Sequence, residues 1–154
     1  MTSLDFRIVD VFTDRPLAGN QLAVVLKSEG RASDTTTFEL GVGPVPVTIG
    51  ARRAWMTQPQ PTFNAPAATA AMIAKALGIE EDPATGGAAG PLGAYLALHA
   101  YPGEAVCRFT FEQGYEMGRP SVIEVEIERQ GETFTAVRVG GAAVVIARGV
   151  MELP

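Results

Sequence analysis

The residues best suited to chemistry lie in one run, Glu80-Glu81-Asp82-Pro83-Ala84-Thr85-Gly86-Gly87-Ala88-Ala89-Gly90-Pro91-Leu92. Three carboxylates stand just before a glycine-rich stretch that reads as the opening of a helix. Any helix N-terminus leaves four backbone N–H groups without intrahelical acceptors, and the macrodipole adds partial positive charge there. Glycines at that end let a ligand come close to the backbone, so the construction suits a small anion such as a carboxylate. Asp82 would stand beside the anion and accept a hydrogen bond from a neighbouring ligand group. The run lacks the lysine of a phosphate-binding loop and the spacing of a dinucleotide fingerprint. The same residues also fit a capped helix whose glycines merely permit tight packing.

Composition narrows the alternatives. The 154 residues carry one cysteine and one histidine, so neither an intramolecular disulfide nor a multi-histidine metal site can form within the chain. Cys107 is expected in a strand as a small hydrophobe. The net charge is −5, with no basic run, which argues against a nucleic-acid partner. No apolar stretch approaches the roughly 18 residues of a membrane span, and Asp5, Arg7 and Asp10 interrupt any N-terminal leader pattern, so a cytoplasmic protein without a membrane partner is expected. The apolar fraction of 47% is enough for one packed core.

The elements that must position the run can be read from periodicity and breakers. Leu4–Phe12 and Gln21–Leu26 read as strands, separated by Thr13-Asp14-Arg15-Pro16 and Gly19-Asn20. A polar strand leads into Gly41-Val42-Gly43-Pro44, and Val45–Ile49 and Arg53–Gln58 follow as partners. Helices are expected over about Ala65–Leu77 and Gly87–His99. In the second, Leu92, Tyr95, Leu96 and His99 recur at i, i+3, i+4 and i+7, the spacing of a buried stripe. Val106–Phe111 reads as a strand. Ile123, Val125 and Ile127 alternate with Glu124, Glu126 and Glu128, a strand with one buried and one solvated face. Gln130-Gly131 signals a hairpin into Thr133–Val139, and Gly140-Gly141 a further turn into Ala142–Ala147. The order, strands then helices then strands, is α+β with a mostly antiparallel sheet.

Asp82–Leu92, DPATGGAAGPL, resembles the D-P-A-T-G-S-A-A-G-P-L signature of the phenazine-biosynthesis (PhzF-like) isomerase family. Phe12–Val25, FTDRPLAGNQLAVV, is similar to the family's F-x-x-x-P-x-x-G-N-x-x-A-V-V. Gln113–Val125, QGYEMGRPSVIEV, with Val139-Gly140-Gly141 beyond it, resembles its Q-G-x-x-M-G-R-P-S and closing V-G-G. The resemblance implies a diaminopimelate-epimerase-like fold, two lobes that each wrap a curved sheet around a central helix. It also implies proton transfer on a small carboxylated metabolite, with no cofactor and no metal.

Carried over position by position, the resemblance makes Asp82 catalytic. Thr85, Gly86, Gly87 and Ala88 become substrate-binding, with Gly87 where the family has serine. The family's general acid–base is a glutamate in an S-E-T stretch, assisted by a histidine in G-H-x-T. Between Val25 and Gly41 this chain has only about fifteen residues where those segments would lie. Ser33-Asp34-Thr35 echoes S-E-T weakly, so Asp34 is the one candidate substitute within the chain. His99 falls three turns from the site and reads as structural, and Arg119 reads as an ion-pair residue. The chain is therefore expected to hold a remnant of the N-terminal lobe over 1–40, a two-stranded ribbon plus linker, and a C-terminal-lobe-like α+β domain over 41–154. The second lobe would be largely missing. Turnover by the chain alone is expected to be poor, the alternative being a small-anion-binding or self-associating protein. Strand edges near Phe6–Phe12 and Gln21–Leu26 would be uncovered, which predicts a homodimer or larger species.

Overall fold

The computed structural model describes residues 2–26, 35–49, 53–63 and 82–153. Among them are strands β1 (Thr2–Val11), β2 (Asn20–Leu26), β3 (Thr35–Leu40), β4 (Gly43–Ile49) and β5 (Arg53–Thr57), and the helix α1 (Gly86–His99). Strands β6 (Val106–Gln113), β7 (Ser121–Gln130) and β8 (Thr133–Leu153) follow. The expected helix over Ala65–Leu77 and the candidate Asp34 lie outside the described residues. No helix among those described is long and apolar enough to cross a membrane.

Every pairing is antiparallel, and β8 organises the sheet. Its first half pairs with β7 on one side and β5 on the other, while its second half pairs with β1. The strand order is β2-β1-β8-β5-β4-β3, with β6 joined through β7. Two expectations give way here. The turn at Gly140-Gly141 does not exist, since β8 runs unbroken through both glycines. Close approach explains them: a Cβ on Gly140 would stand 2.5 Å from the Ala54 carbonyl oxygen and 2.6 Å from the Trp55 ring. The edge expected along Phe6–Phe12 is absent, because β1 is an interior strand hydrogen-bonded to both β2 and β8. Within the sheet β3 and β4 form a hairpin in which Leu40 pairs with Gly43, and β1 is hydrogen-bonded to β8.

The core lies between α1 and β6–β8. The alternation of β7 holds: Ile123, Val125 and Ile127 are buried, packed with Cys107, Phe134, Val137 and Val139. The helix meets them with an unexpected face. Ala89, Gly90, Gly93, Ala94 and Ala97 are its buried residues, whereas Leu92 is 48% and Tyr95 49% exposed, and Leu96 is only half-buried. A Cβ on Gly93 would sit 2.6 Å from Val125 Cγ1, so the helix backbone itself rests on the sheet. Large side chains have no room on that side, and the bulky stripe is displaced outward. His99, in the last turn, lies exposed with its ring tilted against Tyr95 at a centroid distance of 4.4 Å.

The acidic face of β7 is not simply solvated. Glu124 pairs with Arg53, Glu126 with Arg108 and Arg138 (2.7 Å each), and Glu128 with Arg138 (2.5 Å). The hydrogen bond from Arg138, aided by its charge, holds the Glu128 carboxyl below the ordinary carboxylate range. A carboxylate with a folded-state pKa below its unfolded one stabilises the fold above the unfolded pKa, and that contribution is lost as pH falls through the folded value. Stability should therefore decline on acidification below the usual carboxylate range. Glu128→Gln should make that decline shallower in melting curves taken between neutral and acid pH; an unchanged slope would exclude a contribution from this pair.

Candidate functional site

Three stretches far apart in sequence meet at the N-terminus of α1. The loop Asp82–Thr85 delivers the chain into the helix, and polar side chains from the ends of β2, β6 and β7 hold it. Gln113, the last residue of β6, uses its whole amide. Its Nε2 donates to the Asp82 carbonyl (2.6 Å) and to Thr85 Oγ1 (3.0 Å), and its Oε1 accepts the Thr85 N–H (2.9 Å). Ser121, the first residue of β7, donates its hydroxyl to the Pro83 carbonyl at 2.8 Å. Asn20, the first residue of β2, donates through Nδ2 to the Ala84 carbonyl (3.1 Å) and to Asp82 Oδ1 (3.2 Å). The Thr85 hydroxyl donates to Asp82 Oδ2 at 2.9 Å instead of capping the helix. Each Asp82 oxygen thus has one donor, which holds the carboxylate beside the helix end.

The donors of the first turn divide. The Ala88 and Ala89 N–H groups both reach the Thr85 carbonyl at 3.1 Å. The expected anion donor Ala88 is therefore already engaged. Those of Gly86 and Gly87 have no acceptor among the described residues. A Cβ on Gly87 would meet nothing within 4 Å, so that end of the helix is open. On the other side the Phe12 ring lies against Gly86, with Cζ 2.7 Å from where a Cβ would be. An open groove of about 680 Å³ begins at Thr85 and Ala88 and is lined further by Leu92, Phe111, Glu112 and Ile123.

A second clamp holds the turn that carries Asn20. Asp10 is fully buried, accepting the Leu17 N–H at 2.6 Å and facing Arg119 Nη2 at 3.4 Å. Arg119 also donates to the carbonyls of Gly19 (2.9 Å) and Ala18 (3.2 Å). It is an ion-pair residue, as its sequence context suggested, and it ties the loop after β6 to the turn after β1. Phe12 and Leu17, in that turn, have φ of 63° and 64°, left-handed values that non-glycine residues rarely adopt.

The structure places Asp82, Thr85, Gly86, Gly87 and Ala88 together. Asn20, Gln113 and Ser121, absent from the sequence-derived site, complete it. Their one signal in the sequence is that each is a polar residue at a strand end inside a recognisable motif.

The model of the phenazine biosynthesis-like protein family, PhzC-PhzF, matches residues 48–149. The chain belongs to this family. Among curated relatives, an uncharacterized isomerase of Clostridium acetobutylicum is 43% identical over 84 residues, 53% of this chain and 28% of that protein. The trans-2,3-dihydro-3-hydroxyanthranilate isomerase of Pseudomonas fluorescens is 42% identical over 84 residues, 53% of this chain and 29% of that protein. The chain thus matches less than a third of the length of these relatives. The crystal structure of a PhzF-family phenazine biosynthesis protein from Bacillus anthracis superposes with a TM-score of 0.71 at 14% identity, covering 99% of this chain and 100% of that one. That likeness concerns the fold.

Proposed function

We propose that this PhzC-PhzF chain is the ligand-holding part of an isomerase that moves a proton, without a cofactor, on a small carboxylated metabolite in the cytoplasm. The observation that carries the reading is the pair of unaccepted N–H groups at Gly86 and Gly87 beside the tethered Asp82. A substrate carboxylate on those donors would bring negative charge to the positive end of the dipole. Charge developing on an enolate-like intermediate would be stabilised by the same groups, fixed in advance. Asp82 would act as the general acid–base, and the groove past Thr85 and Ala88 would receive the rest of the molecule. On this reading the fold is diaminopimelate-epimerase-like.

The openness around Gly87 and the two donors already on Asp82 favour a second reading, carboxylate binding without turnover. One experiment separates them. In ordinary water with trans-2,3-dihydro-3-hydroxyanthranilate, the named substrate of the Pseudomonas relatives, amide NMR shifts at Gly86 and Gly87 report binding. In a parallel incubation in deuterated water, carbon-bound deuterium reports proton transfer. Incorporation that falls about 10²–10⁴-fold in Asp82→Asn, the range of a general acid–base, supports the isomerase. Shifts without incorporation support binding alone, and no shift at either glycine removes the site.

A further inference from the structure

The peptide that joins Gly86 to Gly87 is gripped at its carbonyl end. A trans peptide is planar, with its C=O and N–H pointing in opposite directions, so whatever fixes the Gly86 carbonyl also fixes the direction of the Gly87 N–H. Gln58 Nε2 donates to that carbonyl at 3.0 Å. The base of this side chain is itself anchored. Gln58 directly follows β5, and its backbone N–H donates to the Val137 carbonyl of β8 at 2.8 Å. Pro59 comes next and disfavours a helical backbone at Gln58. The helix in turn makes room for the amide. A Cβ on Gly90 would stand 1.9 Å from Gln58 Oε1, so the side chain fits only against a glycine. Alanine is the better residue inside a helix, and Gly90 goes against that propensity to admit the amide.

We propose that Gln58 is the positioning residue of the carboxylate site, an inference that rests on the ligand-holding role proposed above: its amide aims the Gly87 N–H outward and strengthens it as a donor. A hydrogen bond to the carbonyl end of a peptide polarises the N–H at the other end, so the two bonds reinforce each other. The Gly87 N–H has no acceptor among the described residues, and a Cβ on Gly87 would meet nothing within 4 Å, so the residue that carries it borders open space. The Gly86 N–H belongs to a different peptide. The carbonyl of that one is Thr85's, which takes the Ala88 and Ala89 N–H groups. The two donors should therefore respond differently when Gln58 changes, with Gly86 serving as the internal control.

Titration with acetate, followed through the amide NMR signals of Gly86 and Gly87, tests this role. Gln58→Met keeps the reach of the side chain and loses its donor. The acetate dissociation constant should rise about three- to tenfold, the scale of one hydrogen bond. Without acetate, the Gly87 amide proton should move upfield while that of Gly86 stays. Gly90→Ala, which displaces the amide with Gln58 still present, should do the same. Gly90→Ala/Gln58→Ala gives the new methyl group room, so it should melt no lower than Gln58→Ala alone and yet bind acetate as weakly as Gln58→Met. That pairing separates lost positioning from lost folding. Unchanged affinity in Gln58→Met overturns the role and leaves the site standing, as does a shift shared equally by both glycines or wild-type affinity in the double variant. A wild-type protein in which acetate moves neither amide overturns the site, and the role with it.

Discussion

Replacing Asp10 with alanine is expected to lower the unfolding free energy by about 3–5 kcal/mol, measured by urea denaturation at neutral pH. Asp10 is wholly buried and holds both the Leu17 amide and the Arg119 guanidinium. Its removal leaves a cation partly buried against carbonyls and one amide without an acceptor, and breaking one side of such a pair costs more than the pair itself contributes. The turn adds to the effect. Phe12 and Leu17 sit in left-handed backbone conformations, which persist only where the surroundings impose them. Asp10→Asn, which can still accept from Leu17, should lose less. A loss below about 1 kcal/mol in Asp10→Ala would mean that Arg119 is satisfied by the Gly19 and Ala18 carbonyls alone. The loss should also reach the site, since Gly19 leads directly into Asn20 and so to Asp82.

Ile127→Ala should cost about 2–5 kcal/mol, whereas Leu92→Ala should cost less than about 1 kcal/mol. Both remove a branched aliphatic side chain of the same size, so the contrast reads burial. Ile127 is 0% exposed and lies under α1 beside Gly93. Where Gly93 lies against it the helix has no side chain to fill the space, so the cavity would stay largely open. Leu92 is turned toward solvent and the groove. Equal costs in the two variants would show that α1 faces the other way.

That contrast marks where the sequence could be read and where it could not. The strand β7 was legible because its buried positions are large and its outer ones charged, which gives alternation a strong signal. The extent of α1 was legible from the glycines at its start. Its buried face was not, since Ala89, Gly93, Ala94 and Ala97 carry almost no apolar surface while Leu92, Tyr95 and Leu96 carry much. Periodicity finds the bulky stripe and is silent on whether the helix needs to come closer than that stripe allows. Gly140 and Gly141 failed for a related reason: glycine marks both a turn and a close approach, and only the position of Trp55 distinguishes them. At the candidate site, Asp82 and the glycines lie in one continuous run and could be found together. Asn20 and Gln113 stand 62 and 31 residues from Asp82, and their amides acquire meaning only when β2 and β6 end beside the same loop.

The pairing of β1 with β8 also governs when the chain can fold. Thr2 lies against Leu153, so the first strand described waits for the last. At a synthesis rate of about 5–20 residues per second, β1 leaves the ribosome on the order of ten seconds before its partner exists. During that interval its one partner among the described strands is β2, and an isolated hairpin is marginally stable in water. Closure of the β1–β8 contact then waits for residues about 150 positions apart, the slow order for any sheet built on distant contacts. The nascent chain therefore spends its synthesis with an apolar strand exposed, the condition under which chaperones are most needed, and its yield in a cell should depend on them more than its final stability would suggest.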